Sequence, residues 1–106
     1  MGTKRASGGG VKAIAVLLPL ALAACASLPP PNGELNAARA AIIQAEPLAH
    51  RYAQPELRLA QEKLARAEQA MARADWSDAR RLAEEAEVDA RLASAVAENE
   101  RSQAAR

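Results

Sequence analysis

From Leu35 onward, apolar side chains return every three or four residues, and they do so in three separate phases. The first run is Leu35, Ala38, Ile42, Ala45, Ala49 and Tyr52. The second is Leu57, Ala60, Leu64, Ala67, Met71 and Ala74, with large knobs at Leu57, Leu64 and Met71 and alanines between them. The third is Ala79, Ala83, Ala86, Ala90, Ala93 and Ala97, flanked by Leu82 and Val96. Knobs on one helix and a smooth alanine face on another are complementary, and such faces approach at the low end of the ~8–10 Å range of helix separations.

Proline and acid placement divide the runs. Pro55 suits the first turn of a helix, where its missing N–H is not needed, so the second helix is expected to begin there. Pro47 falls inside the first run and predicts a kink or brief break, with the pattern resuming beyond it. Residues 56–106 contain neither Gly nor Pro, so one unbroken helix is the competing arrangement. Phase argues against it. Continuing the second seam past Ala74 would bring Asp78, Arg81 and Glu85 into the apolar stripe, whereas a restart at Ala79 keeps it clean. Asp75 can cap the new helix, Asp78 follows three residues later, and Trp76 packs at the turn. Helices are therefore expected at about 34–52, 55–74 and 76–104. The expected fold class is all-α: an antiparallel hairpin with a third, kinked N-terminal helix, a small three-helix bundle preceded by a signal peptide.

The start of the chain follows different rules. Residues 1–12 carry Lys4, Arg5 and Lys12 and no acid, and residues 13–24, "AIAVLLPLALAA", are uncharged and apolar. A basic start, a short apolar run and small residues at its end make a secretory signal peptide. A membrane-spanning helix needs roughly 20 apolar residues, more than this run interrupted by Pro19 supplies. Ala26–Gly33, "ASLPPPNG", reads as a tether: three prolines favour an extended polyproline segment, and Asn32-Gly33 is turn chemistry. The division is 1–24 signal peptide, 25–33 Cys25 and tether, 34–106 helical domain.

Leu22-Ala23-Ala24-Cys25 resembles the bacterial lipobox at all four positions. The resemblance implies that the Cys25 thiol receives a diacylglyceryl group, that a signal peptidase recognises Leu22, Ala23 and Ala24 and cuts before Cys25, and that the freed amine is acylated. Ala26 and Ser27 after the cysteine imply sorting to the outer membrane, facing the periplasm. The alternative is ordinary secretion with a spare thiol, an odd leftover for an exported protein with a single cysteine.

Composition narrows the rest. Residues 25–106 hold all 13 acids against 11 Lys and Arg, a net charge of −2, which lacks the basic face that nucleic acid favours. Tyr52 and Trp76 are the only aromatics, and 23 alanines follow Cys25, so helices must approach closely to build any core. A lone histidine, His50, and no second cysteine leave a transition metal without ligands. Glu84-Glu85 and Glu87-Asp89 read as solvated charges, because nothing apolar encloses them to raise a carboxyl pKa. Glu62–Arg66 and Glu87–Arg91 are four residues apart, the spacing of helical ion pairs. Ser77 reads as a helix-start residue. No catalytic residue, metal ligand or small-molecule substrate is indicated, and no cofactor beyond the lipid on Cys25. An enzyme is not expected.

Tyr52–Ala93, "YAQPELRLAQEKLARAEQAMARADWSDARRLAEEAEVDARLA", resembles a small bacterial envelope domain known only as a domain of unknown function. Its pattern is an alanine-spaced helix, a Tyr-Ala-Pro-like join, a second helix, a Gly-Asp-Tyr-like turn and a third helix. Here Gln54 is inserted within the join and Ala74-Asp75-Trp76 forms the turn; the resemblance covers roughly residues 34–97. It implies a lipoprotein of the cell envelope, of a kind that sometimes precedes an OmpA-like peptidoglycan-binding domain. Two functions follow as expectations. One is a lipid-anchored adaptor presenting a helix face to a periplasmic or outer-membrane protein. The other is a self-associating alanine zipper acting as a spacer.

Overall fold

A computed structural model of the chain describes residues 28–106. Three helices follow one another: α1 Asn32–Tyr52, α2 Gln54–Ala72 and α3 Trp76–Ala104. They form an all-α three-helix bundle in which α1 and α3 run parallel and α2 runs against both. The direction is legible in the core. At one end Leu35 and Ala38 of α1 meet Ala67 of α2 and Leu82, Ala83 and Ala86 of α3. At the other, Ile42, Ala45 and Ala49 meet Leu57 and Ala60, and Ala90, Ala93 and Ala97.

α3 is the spine. Every alanine of its expected face, Ala79, Ala83, Ala86, Ala90, Ala93 and Ala97, is wholly buried. A methyl group is all that fits where two neighbouring helices close over one face, and alanine adds helix propensity at no cost in side-chain entropy. Leu64 and Met71 are only partly buried. Leu64 bridges the two clusters, and Met71 packs on the one built from Leu35 and Leu82.

Each join has its own construction. α1 continues through Pro47 without a break, and its last residue is separated from α2 by Ala53 alone. Ala53 is neither helical nor extended (φ −146°, ψ 47°) and 1% exposed; its N–H donates to the Ala49 carbonyl and its carbonyl accepts from Leu57 N–H. Gln54 and Pro55 open α2, with the proline in the first turn as its chemistry requires.

The second join closes α2 two residues earlier than expected, at Ala72. Asp75 N–H donates to Ala70 O at 2.9 Å and Ala74 N–H to Met71 O at 3.0 Å, the paired bonds of a Schellman ending. Ala74 takes the left-handed position usually held by glycine, with φ 57°. It is exposed and belongs to the turn, not to the apolar seam. Asp75 then caps α3, its side chain accepting the Asp78 N–H at 3.4 Å.

The end of the expected tether differs as well. Asn32 and Gly33 lie in the first turn of α1, and Pro31 is its buried N-cap residue, with Leu35 N–H donating to the Pro31 carbonyl. Pro31 (φ −83°, ψ 59°) centres an inverse γ-turn closed by Asn32 N–H on Pro30 O. Asn32-Gly33 therefore does not form the expected turn; the chain turns one residue earlier, at Pro31, and leads straight into the helix.

Candidate functional site

The expected lipidation residue Cys25, the recognition residues Leu22, Ala23 and Ala24, and the signal segment 1–24 lie outside the described residues. Within them, the functional surface must be sought on the bundle's outside. The charged clamps come first, because they fix which faces remain free.

Ion pairs span every pair of helices. Arg39 Nε meets Glu68 Oε1 at 3.7 Å between α1 and α2, and Arg80 Nη1 meets Glu34 Oε1 at 3.4 Å between α3 and α1. Lys63 of α2 reaches two acids of α3, Asp89 Oδ2 at 2.7 Å and Glu85 Oε1 at 3.4 Å. Asp89 Oδ2 is buried and makes no well-aligned hydrogen bond, so the Lys63 ammonium is its compensating charge. The side chain of Asp89 is 15% exposed. It was expected in solvent; the crossing of α2 over α3 encloses it instead. Arg81 extends the network, bonding Glu85 Oε2 at 2.6 Å and also pairing with Asp78.

These contacts hold each group in its charged form. The Asp89 carboxylate, opposed by some desolvation, raises the Lys63 pKa. Asp78 and then Glu85 raise that of Arg81, and Arg81 and then Lys63 lower that of Glu85. Proton transfer near neutrality asks for shifts in the opposite sense. The network borders a shallow, open depression of about 250 Å³ lined by Lys63, Arg81, Glu84, Glu85, Val88 and Asp89. Apart from Glu84, its charges are already paired, so it works as a clamp on helix register.

The remaining candidates lie apart. His50 and Ser77 are exposed, and Ser77 sits in the first turn of α3 as expected. Glu87 pairs with Arg91 along α3, whereas Glu62 and Arg66 do not approach to ion-pair distance. Among the described residues, no group of three or more His, Cys, Asp and Glu is arranged to hold a metal ion, and no helix is long and apolar enough to cross a membrane.

Large apolar side chains also stand exposed outside the three seams. Val88 and Leu92 are 65% and 51% exposed and four residues apart on α3, hence on one face. Leu59 of α2 is 44% exposed. Lys63 lies opposite Glu85 and Asp89, so the antiparallel register carries Leu59, one turn earlier in α2, toward Leu92. The signal was present in the spacing of Val88 and Leu92, but a continuous alanine seam on the same helix drew the whole apolar assignment.

No curated protein and no solved structure matches the chain. A family model does match, over residues 33–106. It spans α1 from its second residue, both joins and all of α3, so the match takes in the whole bundle. The chain belongs to the family described as Domain of unknown function (DUF4398).

Proposed function

We propose that the protein is a lipid-anchored helical adaptor on the periplasmic face of the bacterial outer membrane, held by acyl chains on Cys25 and acting through contact with another envelope protein. The reading assigns it no catalysis and no cofactor beyond that lipid. One observation carries the adaptor part: the alanine face of α3 is consumed inside its own bundle, while Leu59, Val88 and Leu92 stay exposed, as do Ile43 of α1 and Leu28 before it. An alanine zipper between copies would need a small-residue face turned outward, and α3 has spent its own. The lipobox-like Leu22-Ala23-Ala24-Cys25 supports the anchor, and a lasting anchor needs two or more chains at ~0.8 kcal/mol per buried methylene.

Three measurements test the parts separately. Cys25→Ser should abolish acyl labelling and leave unprocessed precursor; a variant still labelled and cut would remove the anchor. Fractionation should find the mature protein in the outer membrane, and an inner-membrane location would remove the sorting. A photo-crosslinking residue at position 92 should yield a discrete adduct with a different protein in intact cells. An adduct with a second copy would favour the spacer alternative, and no adduct would sink the adaptor.

A further inference from the structure

The bundle has two ends, and the topology assigns one of them to the anchor. Because α1 and α3 run parallel, the start of α1 and the α2–α3 turn lie together. Leu35 shares a core cluster with Leu82 and Ala83, and Glu34 pairs with Arg80, both within the first turns of their helices. Pro31 is buried at that end, with its carbonyl tied into α1, so the chain toward Cys25 leaves the bundle there. Cys25 lies six positions before Pro31, and six steps reach at most ~21 Å at ~3.3–3.6 Å each. The 21-residue α1 is itself about 31 Å long at 1.5 Å per residue, so Tyr52 and the Ala53 join lie at the far end of the bundle.

The side chains of the turn fit a lipid surface. Trp76, the chain's single tryptophan, stands half-exposed at the first position of α3. Tryptophan has an apolar ring and a polar N–H and concentrates where acyl chains meet headgroups. Leu28, on the segment leading to the anchor, is 53% exposed. The acids of the turn are engaged: Asp75 caps α3 and Asp78 pairs with Arg81. Arg73 is exposed and, among the described residues, forms no ion pair, which leaves its guanidinium for lipid phosphate.

We propose that the Arg73–Ser77 segment, which includes Trp76, rests on the lipid surface that holds the anchor and stands the bundle on end. The Ala53 join is then presented outward. This orientation rests on the anchored reading above, and it adds a lipid contact that anchoring alone does not require.

The test uses the mature, lipidated chain in vesicles of phosphatidylethanolamine and phosphatidylglycerol, with and without bromine on the acyl chains near the headgroup. Trp76 emission reports the turn directly. Mass measurement of the same sample reports the lipid. Trp76 should lose most of its emission in brominated vesicles, Arg73→Glu should restore much of it, and a Trp76→Phe, Tyr52→Trp variant should be insensitive to bromine. A lipidated chain whose Trp76 is unaffected overturns the orientation and leaves the anchor standing. Equal quenching at positions 76 and 52 means a bundle lying flat, and overturns it too. A mature chain without lipid removes the anchor and the orientation with it, and the mass makes that outcome distinct.

Discussion

Ala53 joins α1 to α2, and Ala74 lies in the turn from α2 to α3. Both are alanines outside helical geometry, and there the likeness ends. Ala53 has negative φ and is 1% exposed, enclosed by Ile42, Ala45, Ala49, Leu57 and Ala97 among others in its core cluster. Ala74 is exposed and left-handed, fixed by the backbone bonds of a Schellman ending. One join is held by burial and needs a small side chain. The other is held by hydrogen bonds and would prefer none. Reversing the chain therefore has two solutions in a single bundle of this size, and substitution separates them.

The largest effect should come at Ala53. Ala53→Asp places a charge without a partner in a cluster of methyl groups, at about 3 kcal/mol. A domain with so few large core side chains has little reserve, and urea titration of helical ellipticity should show it largely unfolded. Ala53→Leu, which adds bulk without charge, should cost about 1–3 kcal/mol through overpacking. Tolerance of both would mean that burial does not hold this join.

At the second join the effects are smaller and differ in sign. Asp75→Ala removes the α3 cap; its bond is long at 3.4 Å, so the loss should fall near the low end of the ~0.5–2 kcal/mol range for caps. Ala74→Gly should stabilise. Relief of the left-handed alanine is worth ~1–2 kcal/mol, and the added freedom of glycine in the unfolded chain takes back ~0.5–1. A net gain of about 0.5 kcal/mol should appear as a higher urea midpoint. A loss on Ala74→Gly would mean that the turn is held by its side chain after all.

The joins also show what could be read in advance. The faces of all three helices were legible because the 3.6-residue period depends only on the chain's own geometry, and α3 obeys it from Ala79 to Ala97. Pro55 and Asp75 were legible because each performs a local task at a helix start. Ala74 was not, since nothing in its residue type announces a positive φ that glycine would normally mark. Asn32-Gly33 misled in the other direction. A glycine with open space around it is tolerated in a first helical turn, and Pro31 had already made the turn. Asp89 and the exposed Val88–Leu92 face needed knowledge of how α2 crosses α3. Which flank of a helix its neighbour covers is a tertiary fact, and periodicity along one chain segment does not carry it. The residues expected to bear lipid rest on a local motif alone.

The smallest effect concerns what clamps the second hairpin beyond its turn. Lys63 ties α2 to Glu85 and Asp89 on α3, and Arg81 links Glu85 back toward the turn through Asp78. Ala53 has no such clamp beside it; the α1–α2 pair, Arg39–Glu68, sits toward the opposite end of those helices. Arg81 and Lys63 hold the Glu85 carboxyl below its usual pKa in the folded chain. A group lowered in this sense contributes stability above its unfolded pKa and loses that contribution as pH falls through its folded value. The stability gap between the natural chain and Glu85→Gln should therefore be open near pH 6 and should close as the solution is taken below the ordinary carboxylate range. Added salt should narrow it as well, because the groups are largely exposed and screened. The same titration on Ala74→Gly should show a gap independent of pH. If the Glu85→Gln gap stayed constant down to strong acid, the charges would not be clamping this hairpin, and the turn's backbone bonds and the buried alanine seam would be holding it by themselves.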